Sequence, residues 1–150
     1  MKFHSDQDLD LDKNSMIAVF SCYQYPENKD SYRTLYIRDK ISNKTDKIIM
    51  SHNSVILFSY ETNKKFQHKI VLENHKTENQ WIGMTLRLSK TFITFDNQTP
   101  KINNKTLFLA NQEQEREFYK LRSQENKNID FIYPQINYTI SENDLFKHME

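Results

Sequence analysis

Four residues in this chain carry side chains that could together hold a metal ion and a carboxylate: His4, Asp6, His68 and Arg87. Imidazole and carboxylate suit Fe(II). Two histidines and one carboxylate on one side of that ion leave its other positions open. His4 and Asp6 are two residues apart, so on an extended strand they face the same side and reach one ion. Arg87 offers a planar fork that matches a carboxylate, which a lysine would not. The H-x-D pair alone is a weak signal in a chain with five histidines. A lone inward histidine is more often a hydrogen-bonded core residue than a ligand. The order is more specific. H-x-D is followed about sixty residues later by an inward histidine, and about twenty residues after that by an arginine.

The elements that must position these groups read as strands. Residues 55–58, Val-Ile-Leu-Phe, form an apolar run suited to a strand buried on both faces. Residues 66–72 alternate, with Phe66, His68, Ile70 and Leu72 on the inward face. A third, long strand is expected from Trp81 to Phe95. It places Trp81, Gly83, Thr85 and Arg87 on one face and Ile82, Met84, Leu86 and Leu88 on the other. Gly83 is the only glycine, and a glycine within a strand often marks close approach by a ligand or another backbone. Gly83 and Thr85 would thus leave room for a carbon chain held by Arg87. Upstream, strands are expected at 15–25, 32–38 and 47–50, with Ile17, Val19 and Ser21 on one face of the first. Residues 96–105 read as a polar linker with Pro100. Residues 112–123 read as a helix with Phe118 and Leu121 on one face, and Ser141 as the cap of a short helix with Asp144 three residues on. Seven strands from near His4 to near Phe95 predict a mainly β fold, a jelly roll or barrel, with a C-terminal helix and tail packed outside. Residues 1–95 form its core and 96–150 a helical extension of the same domain.

The 150 residues suffice for one domain with a sizeable core. Aromatic content of 13% offsets the low mean hydropathy of −0.84, because aromatic side chains bury much area and favour strands. A net charge of +1 implies no strong global attraction to phosphate. The single Cys22 excludes an intrachain disulfide and fits a reducing, cytoplasmic setting. No signal peptide and no membrane-spanning run is evident. Abundant Asn, Lys and Ile fit an AT-rich coding sequence of viral or protist type. His52, His75 and His148 read as solvated, and Cys22 as a small core residue. Lys40, Lys44, Lys47, Lys64 and Lys65 read as a solvated surface or, alternatively, as a basic rim for a phosphate backbone.

The stretches His4-Ser5-Asp6-Gln7-Asp8, Asn53 to Phe58, Phe66-Gln67-His68-Lys69-Ile70 and Met84-Thr85-Leu86-Arg87 carry a family resemblance. Over residues 3–95 the chain resembles the Fe(II)/2-oxoglutarate-dependent oxygenases, and among them the AlkB-like branch. The resemblance implies a double-stranded β-helix (jelly roll), with Fe(II) held by His4, Asp6 and His68. It implies a 2-oxoglutarate carboxylate on Arg87, with Gly83 and Thr85 beside it, and dioxygen as co-reactant. Asp8 falls where such enzymes carry an acidic residue near the substrate. The implied activity is hydroxylation of a C–H bond. N-methyl groups of nucleobases in nucleic acid are one substrate class; a protein or small molecule is the alternative, and a non-catalytic jelly-roll binding module a further one. The pattern has a strand and a substrate lid before H-x-D, so the chain reads as shortened at its N-terminus. Trp81 stands where the pattern carries a second arginine, six residues before Arg87. Arg33, Arg38, Tyr23, Tyr25 and Tyr36 are the candidates for the replacing contact.

Overall fold

The structure, a computed structural model, describes residues 2–74 and 78–147. Its strands and helices run, in order, β1 (Met16–Tyr23), β2 (Arg33–Asp39), β3 (Thr45–Ile49), β4 (Ser54–Ser59), α1 (Tyr60–Lys65), β5 (Phe66–Leu72), β6 (Trp81–Leu86), β7 (Thr94–Asp96), β8 (Thr99–Ile102), β9 (Lys105–Thr106), β10 (Phe108–Leu109), α2 (Gln112–Glu125) and β11 (Tyr138–Thr139). The protein is mainly β, as its pattern predicts. Two antiparallel three-stranded sheets dominate, in the orders β4-β1-β6 and β3-β2-β5.

Period-two patterning decides which side chains these sheets bury. Ile17, Val19, Ser21 and Tyr23 of β1 point inward, and their direct partners share that face: Phe58 and Ile56 on β4, then Thr85, Gly83 and Trp81 on β6. In the second sheet the inward set is Arg33, Leu35 and Ile37 of β2, opposite Leu72, Ile70 and His68 of β5. Leu11, Ile17, Val19, Leu35, Met50 and Tyr60 form one buried cluster, with Ile37, Ile56, Phe58, Ile70 and Trp81 packed against it. Residues from both sheets meet there, so the sheets face each other across a common core.

The outer face of β4-β1-β6 is apolar and exposed. Met16, Val55, Leu57, Ile82, Met84 and Leu86 all face solvent from it. An apolar patch of this kind promotes association. Leu57→Lys is therefore expected to lower concentration-dependent light scattering. The melting transition should move little, because an exposed substitution stays within about 0.5 kcal/mol.

Several local expectations need correction. The long strand from Trp81 to Phe95 breaks at Leu86. The chain then leaves β1 and pairs with the N-terminal segment, through Asp12 N–H to the Leu88 carbonyl (3.0 Å) and Lys90 N–H to the Asp10 carbonyl (2.9 Å). Residues 96–105 are not a linker but part of a β7-β8-β9 meander. Its two tight turns use Asn97-Gln98 and Asn103-Asn104, all at positive φ, where hairpin turns ordinarily place glycine. The absence of glycine hid them. Helix α1, six residues long, is too short to show a helical period. It starts where the Ser59 hydroxyl accepts the Thr62 N–H. Helix α2 closely matches its expected span and opens on a capping box between Asn111 and Gln114. The turn at Glu142–Leu145 is 3-10. Ser141 makes no side-chain cap, and Asp144 instead accepts the Thr139 hydroxyl.

Candidate metal centre

The N-terminal segment crosses from one sheet to the other and carries half of the site. His4 pairs with His68 at the free edge of β5, through His4 N–H to the His68 carbonyl (3.0 Å) and His68 N–H to the His4 carbonyl (2.7 Å). Eight residues on, Asp12 is bonded to the chain beyond β6. His4 and Asp6 are thus not neighbours on one strand, as expected. Only His4 is in a β-bridge, and Asp6 lies in the crossing.

What holds Asp6 is a residue the sequence did not single out. Asn63, buried on α1, accepts the Asp6 N–H with Oδ1 and donates from Nδ2 to the Asp6 carbonyl, both at 2.8 Å. Ser5 beside it is also fixed: its hydroxyl donates to the Phe66 carbonyl, and its N–H donates to Asn126 Oδ1. The end of α2 completes the clamp. Glu125 Oε1 accepts the Asp8 N–H, and Arg122 donates to Gln7 Oε1. The helix expected to pack outside the core therefore holds the H-x-D segment itself. Truncating the Asn63 amide in Asn63→Ala leaves the part-buried Asp6 N–H and C=O without these partners. The expected loss is about 2–4 kcal/mol, as each such group costs about 1–3 kcal/mol. A denaturant melt measures it, and an unchanged midpoint would refute the clamp.

His4, Asp6 and His68 offer ligand atoms that all lie within 4.8 Å of one another. Asp6 Oδ1 is 3.7 Å from His68 Nε2, and both side chains are mostly buried. Asp6 Oδ2 is buried with no hydrogen-bond partner. His4 Nδ1 faces the Lys2 carbonyl at 3.0 Å; as the donor there, it leaves Nε2 as the free lone pair, an arrangement common in metal-bound histidine. A buried carboxylate oxygen without a hydrogen-bond partner, grouped with two imidazoles, fits a divalent cation. Burial, and then the neighbouring His4, hold the His68 pKa below the ordinary histidine value, while Asp6 pulls it upward. Neutral imidazole is the form a metal requires.

Arg87, just past β6, reaches this group: its Nη1 lies 4.0 Å from Asp6 Oδ2, and its side chain is 41% exposed. Thr85 stands on the inward face of β6 but is exposed. Gly83 occupies that face too, yet the space above it is taken. A Cβ there would lie 2.2 Å from Trp81 Cη2 and 2.3 Å from Cζ2, so the missing side chain makes room for the Trp81 ring rather than directly for a ligand. The Trp81 indole N–H donates to Ser21 Oγ at 2.7 Å.

Asp8 is not brought into the three-residue group. Its Oδ2 accepts the Tyr60 hydroxyl at 3.0 Å, and its carbonyl accepts Lys90 Nζ. Burial, and then this bond to Asp8, push the Tyr60 pKa up to about 12. Lys40 belongs to no open rim: its ammonium donates to the Glu125 carbonyl, and burial lowers its pKa. His52, expected in solvent, is half-buried and accepts the Tyr23 N–H at Nδ1. That same nitrogen is 4.0 Å from Cys22 Sγ, a neighbour the sequence separation concealed. His75 and His148 lie outside the described residues.

A groove of about 740 Å³ opens beside Arg87 and Gln7. Phe92, Phe118 and Tyr138 line it, and the Tyr138 hydroxyl is buried without a partner. Most of its far wall comes from the C-terminal extension. Among the described residues, no helix is long and apolar enough to cross a membrane.

No family model matches the chain, and neither a curated protein nor a solved structure matches it.

Proposed function

We propose that the protein is an Fe(II)- and 2-oxoglutarate-dependent oxygenase of AlkB-like type, built on a double-stranded β-helix, that hydroxylates a substrate C–H bond. The observation that carries this reading is the His4–Asp6–His68 group with Arg87 at 4.0 Å from its carboxylate. Two imidazoles and one carboxylate are the donor set of non-heme iron oxygenases, and a guanidinium beside them is a fitting anchor for a carboxylate cosubstrate. His4, Asp6 and His68 would hold the iron. Bound there, Fe(II) with 2-oxoglutarate and dioxygen would supply the oxidising chemistry, one oxygen atom going to the substrate and the other to the succinate formed as the cosubstrate loses carbon dioxide.

The chain's own part is to present ligands in the right protonation state and to keep them still. Burial favours the neutral form of His68. The hydrogen bond to the Lys2 carbonyl orients the His4 ring. Asn63 and the end of α2 fix the backbone between the ligands, so ordering it costs little when the metal arrives. The groove beside Arg87 has the size of a small-molecule site, and its mixed polar and apolar walls include the aromatic rings of Phe92, Phe118 and Tyr138. A planar group such as an N-methylated nucleobase fits that lining, and nucleic acid is the substrate class we propose. A base in a duplex would have to be flipped out of the stack to reach it.

The test is succinate formation by purified protein supplied with Fe(II), ascorbate and 2-oxoglutarate, with and without an N-methylated oligonucleotide. Succinate is expected from the wild type and not from His68→Ala. Formaldehyde is expected only with the methylated oligonucleotide. A folded wild type that makes no succinate and does not bind Fe(II) would overturn the oxygenase reading. Succinate without formaldehyde would overturn the nucleobase assignment.

A further inference from the structure

The register of β1 with its two neighbours lays the outward side chains of the β4-β1-β6 sheet in rows. Two rows span all three strands: Leu57-Ala18-Leu86 and, next to it, Val55-Phe20-Met84. Met16 faces Ser59 beyond the first row, and Cys22 faces Ile82 beyond the second. No charged side chain stands in these rows. Their one hydroxyl, that of Ser59, is engaged in capping α1. The large side chains of the face are 48–62% exposed, from Met84 to Ile82. A contiguous apolar face of this kind marks an interaction surface.

The centre of the face says what fits it. Ala18 is a hollow between Leu57 and Leu86, and Phe20 is a knob between Val55 and Met84. The two stand on either side of Val19. A two-fold axis crossing the strands at Val19 therefore brings the knob of each copy over the hollow of the other. The same operation lays Leu57 over Val55 and Leu86 over Met84. An isologous contact requires this self-complementarity, in which residue i meets j and j meets i. A face without charge does not repel its own copy, and it offers nothing to a charged partner. Area points the same way. Three strands about 4.8 Å apart, and six residues at about 3.4 Å each, span about 14 by 20 Å. With the relief of the side chains, two such faces stacked about 10 Å apart bury on the order of 1,000 Å², where specific but weak interfaces begin.

We infer that the outer face of β4-β1-β6 is the interface of a homodimer, with its two-fold axis at Val19 and Phe20 of each copy seated over Ala18 of the other. The sheet itself separates this face from the core, toward which His68 points. The dimer thus neither needs nor covers the metal group, and it stands or falls apart from the oxygenase reading.

Sedimentation velocity of the full chain tests it. A reversible monomer–dimer equilibrium is expected, with a dissociation constant on the order of 10 μM and no larger species. Ala18→Phe fills the hollow and Phe20→Ala removes the knob; each should weaken the dimer at least ~10-fold. The double variant exchanges knob and hollow about the same axis and should recover most of that loss. Met84→Lys should stay monomeric. Cys22, the only thiol and half-buried on this face, reports the same equilibrium. Its reaction with an aromatic disulfide reagent should slow as the wild-type concentration rises, and should not slow in Met84→Lys. Circular dichroism selects folded variants; where Phe20→Ala does not fold, Ala18→Phe and Met84→Lys carry the test. A wild type that stays monomeric, or that forms larger aggregates without a dimer, would overturn the inference. So would a dimer indifferent to both Ala18→Phe and Met84→Lys. A dimer lost in Met84→Lys but indifferent to Ala18→Phe would overturn the axis at Val19. Cys22 protected in a monomer by phosphatidylcholine vesicles would assign the face to a lipid surface instead.

Discussion

Replacing His68 with alanine is expected to weaken Co(II) or Mn(II) binding by more than about 100-fold, beyond the 10–100-fold typical of losing an outer-shell partner. The reason is geometric. His4 and Asp6 sit on a segment held to β5 by the very pair His4–His68, so the third ligand comes from the strand that anchors the first. Removing the imidazole leaves two ligands, one of them a carboxylate with a buried oxygen that still lacks a hydrogen-bond partner. Saturating metal should raise the wild-type melting temperature: at 100 times its dissociation constant a ligand adds about 2.7 kcal/mol. His68→Ala should show no such rise, while its metal-free transition stays cooperative. Acid should mimic the substitution. The folded His68 pKa lies below its ordinary value, so the unfolded chain takes up this proton first. The contribution of His68 to stability is full above about pH 6.5 and declines as the pH falls through the lower folded value. Metal affinity declines over the same range, because protons compete for the ligand nitrogen. Equal Co(II) affinity in the wild type and the variant would exclude His68 as a ligand.

Gly83→Ala is expected to destabilise the protein by about 1–3 kcal/mol, the usual cost of overpacking. The substitution adds one methyl group in a strand, where alanine would ordinarily be the better residue. Here its Cβ would fall within 2.2 Å of the Trp81 ring. The ring cannot swing away freely, because its N–H is bonded to Ser21 and its face is covered by Arg33. The Trp81 emission should therefore shift, and Arg33 should lose its seat. In the double variant with Trp81→Phe, which lacks the outer indole ring, the added cost of Gly83→Ala should shrink. That coupling, read as a double-mutant cycle, is the decisive measurement. An additive cycle would mean that the glycine serves some other purpose.

Much of the local structure was legible because it follows from short-range periodicity. Alternation along 16–23 grouped Ile17, Val19 and Ser21 on one face, which the structure buries, and alternation along 66–72 placed His68 inward beside Ile70. Helix α2 was legible from its charged pattern and its length. The β7-β8-β9 turns were not, because asparagine and glutamine take up positive φ without the glycine that usually announces it. The exposure of Ile82, Met84 and Leu86 was also illegible. Alternation divides a strand into two faces but does not say which one finds a partner.

The residues that make up the candidate centre were chosen from the sequence, because imidazole, carboxylate and guanidinium chemistry belongs to residue types and their order. Their assembly was decided by tertiary structure. His4 meets His68 across sixty-four positions because an N-terminal segment completes the edge of β5. Asp6 is held by Asn63 from a helix too short to predict, and Ser5 and Asp8 by the far end of α2, more than a hundred residues on. Such contacts join side chains to backbone groups that every residue carries, so no residue type marks them in advance. For the same reason the sequence could name Gly83 as a close approach but not what approaches. Only packing shows that it is Trp81, and that Arg33 lies beyond it.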